Sequence, residues 1–308
     1  MENWVIGADL GGTKVELGLV NARNEIVARR RMPTRPEEGP GSLIQRLGAA
    51  VDDLRADVPS HAHLSALGIC SPGPVDHVRG TLSDPPNLQG LHNMPLRDLL
   101  QARSGLPVVL EHDAKAAALG DFHYGAGRDA DDMVFVVVGT GVGAAVIVNG
   151  ELVRGRHNAA GEIGHITLDR NGDLCSCGNR GCVETFLSGP RLAQRYARAA
   201  AVDASSTDGK QVTKLAAQGD PLAQQVFVEA GEALGRTVAT MAMTLDVSLY
   251  VIGGSVVNAG ELLLAPARRA VPRHCFASVG ARVVIAPTTL GGDGPILGCA
   301  WLAGRSTG

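Results

Sequence analysis

Two apolar runs, Trp4 to Ala8 and Val15 to Val20, flank the polar stretch Asp9-Leu-Gly-Gly-Thr-Lys14. This pattern predicts a buried strand, a tight glycine turn and a second strand. It recurs in the second half: Val134 to Val138, then Gly139-Thr-Gly-Val-Gly143, then Ala144 to Val148 with an Asn149-Gly150 hairpin signal. Shorter apolar runs at Leu67 to Cys70, Val108 to Glu111, Leu249 to Ile252 and Val283 to Ala286 predict further strands. Between them, helical spacing appears. Leu43, Ile44, Leu47, Val51 and Leu54 share one face of a helix that Ser42 is placed to cap. Other helices are predicted from Ser188 through Ala201, from Pro221 along Leu222, Val226, Leu234, Val238 and Met241, and from Gly294 to Ala303 with proline in its first turn. Strands alternating with helices indicate an α/β fold.

Gly139 to Ala144 formally satisfies the G-x-G-x-x-A dinucleotide fingerprint, but that motif needs a following helix to receive pyrophosphate. Val146, Ile147 and Val148 before Asn-Gly make a strand instead. Two strand-glycine-strand units, one in each half, point to two phosphate-binding hairpins facing one nucleotide. In the first, backbone amides exposed by Gly11 and Gly12, with the Thr13 hydroxyl, can cradle phosphate, and Asp9 can face a metal ion or its water. An ordinary hairpin turn explains that motif equally well. A Walker A loop is excluded, because the upstream glycine is missing and a strand follows.

At 308 residues the chain has room for two lobes, each with its own core. A formal net charge of -3 gives no basic field for nucleic acid, and no lysine or arginine run marks a membrane patch. The stretch Met133 to Val148 is too short and glycine-broken to span a bilayer. Glu2 and Asp9 around a brief apolar run do not make a secretion signal. Cys70, Cys275 and Cys299 are widely separated and fit isolated reduced thiols, so a cytoplasmic protein is expected.

The other three cysteines are crowded together. Cys175, Cys177 and Cys182 fall in one polar loop, where Gly178 and Gly181 let the chain double back. His165, expected on a preceding strand, can supply a fourth ligand, which completes a Cys₃His zinc (Zn2+) site. Four protein ligands leave no position for water, so the metal is expected to brace the loop rather than catalyse. Two further candidates lie elsewhere. The proline-pinned loop Asp84-Pro-Pro-Asn-Leu88 makes Asn87 either a ligand contact or a plain turn residue. Asp113, at a strand's end and a helix's start, is either an N-cap or a catalytic base.

Taken in order, DLGGTK at 9 to 14, GTGVG at 139 to 143, GEIGH at 161 to 165, CSCGNRGC at 175 to 182 and GG at 253 to 254 resemble the ROK family of bacterial sugar kinases. The resemblance runs end to end. It implies a two-lobed, actin-like ATPase fold of the ribonuclease-H-like class around a cleft, with a first lobe at 1–113, a second at 114–293 and the helix 294–308 returning to the first. It also implies ATP with magnesium (Mg2+), phosphorylation of a hexose hydroxyl, and a homo-oligomer, dimer or tetramer. Carried over, Asp113 matches the catalytic aspartate. Gly73, Asn87, His112, Asp113, Glu162, His165 and Glu184 match sugar contacts. Asp9, Gly11, Gly12, Thr13, Lys14, Thr140, Gly141, Gly253 and Gly254 match the nucleotide site. His165 then has two tasks, one ring nitrogen on zinc and the other facing the sugar.

The catalytic segment departs from the family's usual Asn-Asp-Ala-Asn, reading His112-Asp113-Ala114-Lys115. An imidazole offers different donors and acceptors from an amide, so the acceptor stays open. Glucose leads, with an aminohexose such as kanosamine, an N-acetylhexosamine or a C7-cyclitol as alternatives. Lys115, two residues into the helix, is expected to point away. A ROK-type repressor fits poorly, since the first glycine turn begins about ten residues in and the charge is wrong for DNA. A sugar sensor without turnover is the remaining rival.

Overall fold

A computed structural model describes residues 1–85 and 87–306; Pro86, inside the expected Asp84 to Leu88 loop, and the last two residues of the expected 294–308 segment lie outside the described residues. The chain forms two compact units, one of residues 1–128, 155–158 and 292 onward, the other of residues 129–154 and 159–291.

In the first unit, β1 (Glu2–Leu10) is antiparallel to β2 (Lys14–Val20), which is antiparallel to β3 (Ile26–Pro33). Helix α1 (Gly39–Ala56) leads to β4 (Ala62–Ser71), parallel to β1. A two-strand ribbon, β5 (Val75–Asp76) with β6 (Thr81–Leu82), and α2 (Leu96–Ser104) precede β7 (Val108–His112), parallel to β4. The sheet order is β3-β2-β1-β4-β7, and α3 (Asp113–Tyr124) follows at once.

The second unit repeats the plan. Its β8 (Met133–Val138), β9 (Val142–Val148) and β10 (Glu151–Val153) form an antiparallel meander. After α4 (Glu184–Leu187), α5 (Gly189–Ala200), α6 (Gly209–Ala217) and α7 (Pro221–Leu245), strand β11 (Leu249–Gly253) runs parallel to β8. Helices α8 (Glu261–Ala270) and α9 (Ala277–Gly280) precede β12 (Val284–Pro287), parallel to β11, and the order is β10-β9-β8-β11-β12. In each sheet the central strand carries a buried apolar run, Trp4 to Ala8 in β1 and Met133 to Val136 in β8, as a strand covered on both faces requires. The last helix, α10 (Gly294–Arg305), belongs to the first unit, where it packs on β1, β4 and α3.

The α3 and α10 backbones nearly touch. A Cβ on Gly298 would lie 1.8 Å from the Ala116 carbonyl oxygen, and one on Gly120 would lie 2.1 Å from that of Gly294, so only glycine permits this approach. Ala114 to Phe122 are buried all round. This packing moves the unit boundary from the expected 113 to 128, because α3 belongs with α10. Other expectations also change. Ser42 does not cap α1, which starts three residues earlier; its hydroxyl donates to Glu38 Oε2 at 2.8 Å instead. Strand β3, with exposed and half-buried residues alternating through three arginines, and helix α2 carried too weak an apolar signal to be expected. No helix among the described residues is long and apolar enough to cross a membrane.

Candidate active site and metal centre

In the first unit, the glycine turn is closed by Gly11 N donating to the Lys14 carbonyl at 3.0 Å. Buried Thr34 latches it, its hydroxyl donating to the Gly11 carbonyl at 2.6 Å and its amide to that of Thr13 at 3.0 Å. Thr34 was not among the expected residues, since an isolated threonine after a strand carries no motif. Asn87 is exposed, and its backbone crosses the turn so closely that a Cβ on Gly12 would lie 2.7 Å from its carbonyl oxygen. Lys14 Nζ pairs with Glu16 at 3.0 Å, and both side chains reach solvent.

Asp9 sits near the end of β1, where the Cys70 thiol donates to its Oδ1 at 3.6 Å. Burial, and then the negative charge of Asp113, push its carboxyl up to about 6. A site that already holds two carboxylates in one field favours a cation. Asp113 is the first residue of α3 and not its cap; that place belongs to His112, whose Nδ1 accepts from Ala114 N at 3.3 Å. The His112 ring also lies 3.1 Å from Asp113 Oδ1 and packs on the loop after β4, where a Cβ on Gly73 would be 2.8 Å from His112 Cδ2. The Asp113 side chain is 41% exposed, open enough to meet a ligand.

In the second unit, His165 ends a single 3₁₀ turn, Ile163–His165, and not a strand. The ligand atoms of His165, Cys175, Cys177 and Cys182 all lie within 4.8 Å of one another. Cys177 Sγ is 3.7 Å from Cys182 Sγ, and Cys175 Sγ is 3.6 Å from His165 Nδ1. Tetrahedral zinc with sulfur at about 2.3 Å has sulfur-to-sulfur edges of about 3.8 Å, so the residues fit that ion. Nδ1 is the nitrogen on the metal side, which leaves Nε2 for another partner. Glu184 joins this loop to the second glycine turn: its Oε2 accepts from Val142 N at 3.1 Å and its Oε1 from the Ser176 hydroxyl at 3.5 Å. Glu162 is exposed at the start of the 3₁₀ turn.

A cavity of about 600 Å³ opens beside Gly139 and Thr140. The first residues of α5 and α6, Gly189 and Gly209, line it together with Lys210 and Ser255. Two helix N-termini and a lysine suit an anionic ligand. Gly254, next to the lining residue Ser255, has φ 86°, and a Cβ there would lie 2.4 Å from the Val138 carbonyl oxygen. Gly141, on the far side of the turn, faces Glu184 Oε2. The α5 and α6 contributions were not expected, because their helix starts are ordinary in sequence.

The paired sheets, glycine turns and strand-end aspartates define a protein of the actin-like ATPase class. The chain belongs to the ROK family, whose profile matches residues 5–306. It is 33% identical to the glucokinase of Thermotoga maritima, covering 96% of each chain. It is 36% identical to the N-acetylmannosamine kinase of Escherichia fergusonii, covering 82% of each. A crystal structure of a ROK family glucokinase from Streptomyces griseus in complex with glucose and AMPPNP superposes with a TM-score of 0.82 at 34% identity, covering 98% of this chain and 99% of that one.

Proposed function

We propose that this ROK-family sugar phosphotransferase moves the γ-phosphoryl group of ATP to a hydroxyl, that on C6, of glucose or a glucose-like sugar, with Asp113 as general base. The observation that carries the reading is the placement of Asp113: it opens α3 at the end of β7, within the field of Asp9, with His112 and Gly73 beside it. The hydroxyl oxygen attacks the γ-phosphorus, ADP leaves, and the hydroxyl proton passes to Asp113. A loose transition state makes positioning as important as basicity, so Asp113 orients the hydroxyl and accepts its proton late. Asn87, Glu162, His165 Nε2 and Glu184 would hold the ring hydroxyls.

Phosphates would lie on the Gly11 to Thr13 and Gly139 to Gly143 turns, with adenosine in the cavity near Gly253 and Gly254. Magnesium near Asp9 would neutralise phosphate charge, and zinc would brace His165 and its loop. Six free cysteines agree with a cytoplasmic setting, where we place the enzyme as a homo-oligomer.

A second acceptor class has support of its own. An imidazole at 112 reads ring hydroxyls differently from an amide, and N-acetylmannosamine kinases stand among the relatives. Coupled ADP release over glucose, N-acetylmannosamine, an aminohexose and a cyclitol separates the readings. At least one sugar should accelerate release; binding of sugar without ADP release by any of them would establish the sensor instead.

A further inference from the structure

Lys115 does not point away from the site. It is 2% exposed, two residues along α3 from Asp113. Its ammonium donates to both oxygens of Asn158, the carbonyl at 2.6 Å and Oδ1 at 2.5 Å. Asn158 has a left-handed backbone, φ 58°, and its Nδ2 donates to the Val75 carbonyl at 2.9 Å. Val75 ends the short segment Gly73-Pro74-Val75, whose other end lies against the His112 ring. The first turn of α3 therefore grips that segment at both ends, directly through His112 and by way of Asn158 through Lys115.

Burying an ammonium group is costly unless its donors are satisfied, and an apolar side chain would fill the same volume without that cost. What lysine adds is a set of donors aimed at one backbone path. Asn158 also lies four residues ahead of Glu162. We propose that Lys115 is a positioning residue that sets acceptor affinity and selectivity, by fixing the path of Gly73 to Val75 and of the chain entering Glu162. The inference rests on the acceptor roles given above to Gly73, His112 and Glu162.

Lys115→Met, Asn158→Gly and the double variant test it in the coupled ADP assay over the same sugar panel. Each single change should raise the acceptor KM by about 10-fold, leave kcat and the KM for ATP within about threefold, and reorder the acceptors. The double variant should be no worse than the worse single, because both changes break one network. Glycine adopts the Asn158 conformation readily, so that variant carries the test if Lys115→Met does not fold. Wild-type turnover with an unchanged acceptor KM in the folded single variants, or effects that multiply in the double, would overturn the inference alone. No wild-type turnover with any sugar would overturn the kinase reading and this inference with it.

Discussion

Glu184 Oε2 accepts a hydrogen bond from the Val142 amide at 3.1 Å, which latches the residue just past the cysteine loop to the second glycine turn. A charged acceptor of this kind is worth roughly 1.5–3 kcal/mol. Glu184→Ala should therefore raise the KM for sugar by about 10-fold to 100-fold and also weaken nucleotide binding, because the turn loses its brace. Steady-state kinetics with each substrate varied in turn check this. An unaltered sugar KM would remove Glu184 from the acceptor site.

The proposed zinc site at His165 and the three cysteines gives a second test. Elemental analysis of purified protein should find one zinc per chain, and stripping it with a chelator should lower the melting temperature, because metal affinity is coupled to folding of the loop. Cys177→Ser should lose both metal and activity. Full activity without metal would show that the loop holds its shape unaided.

Sequence alone revealed those features that are local in the chain. The two glycine turns, the stretch that holds His165 and the three clustered cysteines, and the strand that ends just before Asp113 are each spelled out within a few residues. Features that depend on distant packing were not legible. Asp113 read equally as a helix cap or a catalytic base, and the cap is the His112 ring. Lys115, two residues into the helix, was expected to point away, yet it is buried and its ammonium is held by Asn158, far along the chain. His165 was expected on a strand, although Gly164 packs so tightly that a Cβ there would sit 2.0 Å from the Val142 carbonyl oxygen, in a 3₁₀ turn.

His112 should act on selectivity rather than on chemistry, since it adjoins the base and would contact hydroxyls that do not react. His112→Asn should shift the acceptor ranking toward glucose in the sugar panel if the native acceptor is another sugar. A ranking that does not move would show that the ring does not read the substrate.

The raised Asp9 carboxyl sets a pH dependence. Its folded value is about 6, against an ordinary 3.8, because of burial and then of Asp113. An acid raised on folding binds its proton more tightly in the folded state, so its contribution is most favourable below about 4 and is lost as pH rises through about 6. In metal-free and nucleotide-free buffer, Asp9→Asn should melt above wild type at about pH 7.5, and the gap should shrink as pH falls from about 6 towards 4. A gap constant across that window would show that Asp9 titrates normally.

The central claim is tested most directly by turnover and sugar affinity measured together on Asp113→Asn. The amide keeps the shape of the side chain and removes the base. With ATP and the best acceptor of the panel, kcat should fall by roughly 10²-fold to 10⁴-fold, the usual span for a positioned acid or base, while the sugar dissociation constant measured by calorimetry changes by less than about 10-fold. Near-normal turnover by the folded variant would contradict the assignment of Asp113 as the base.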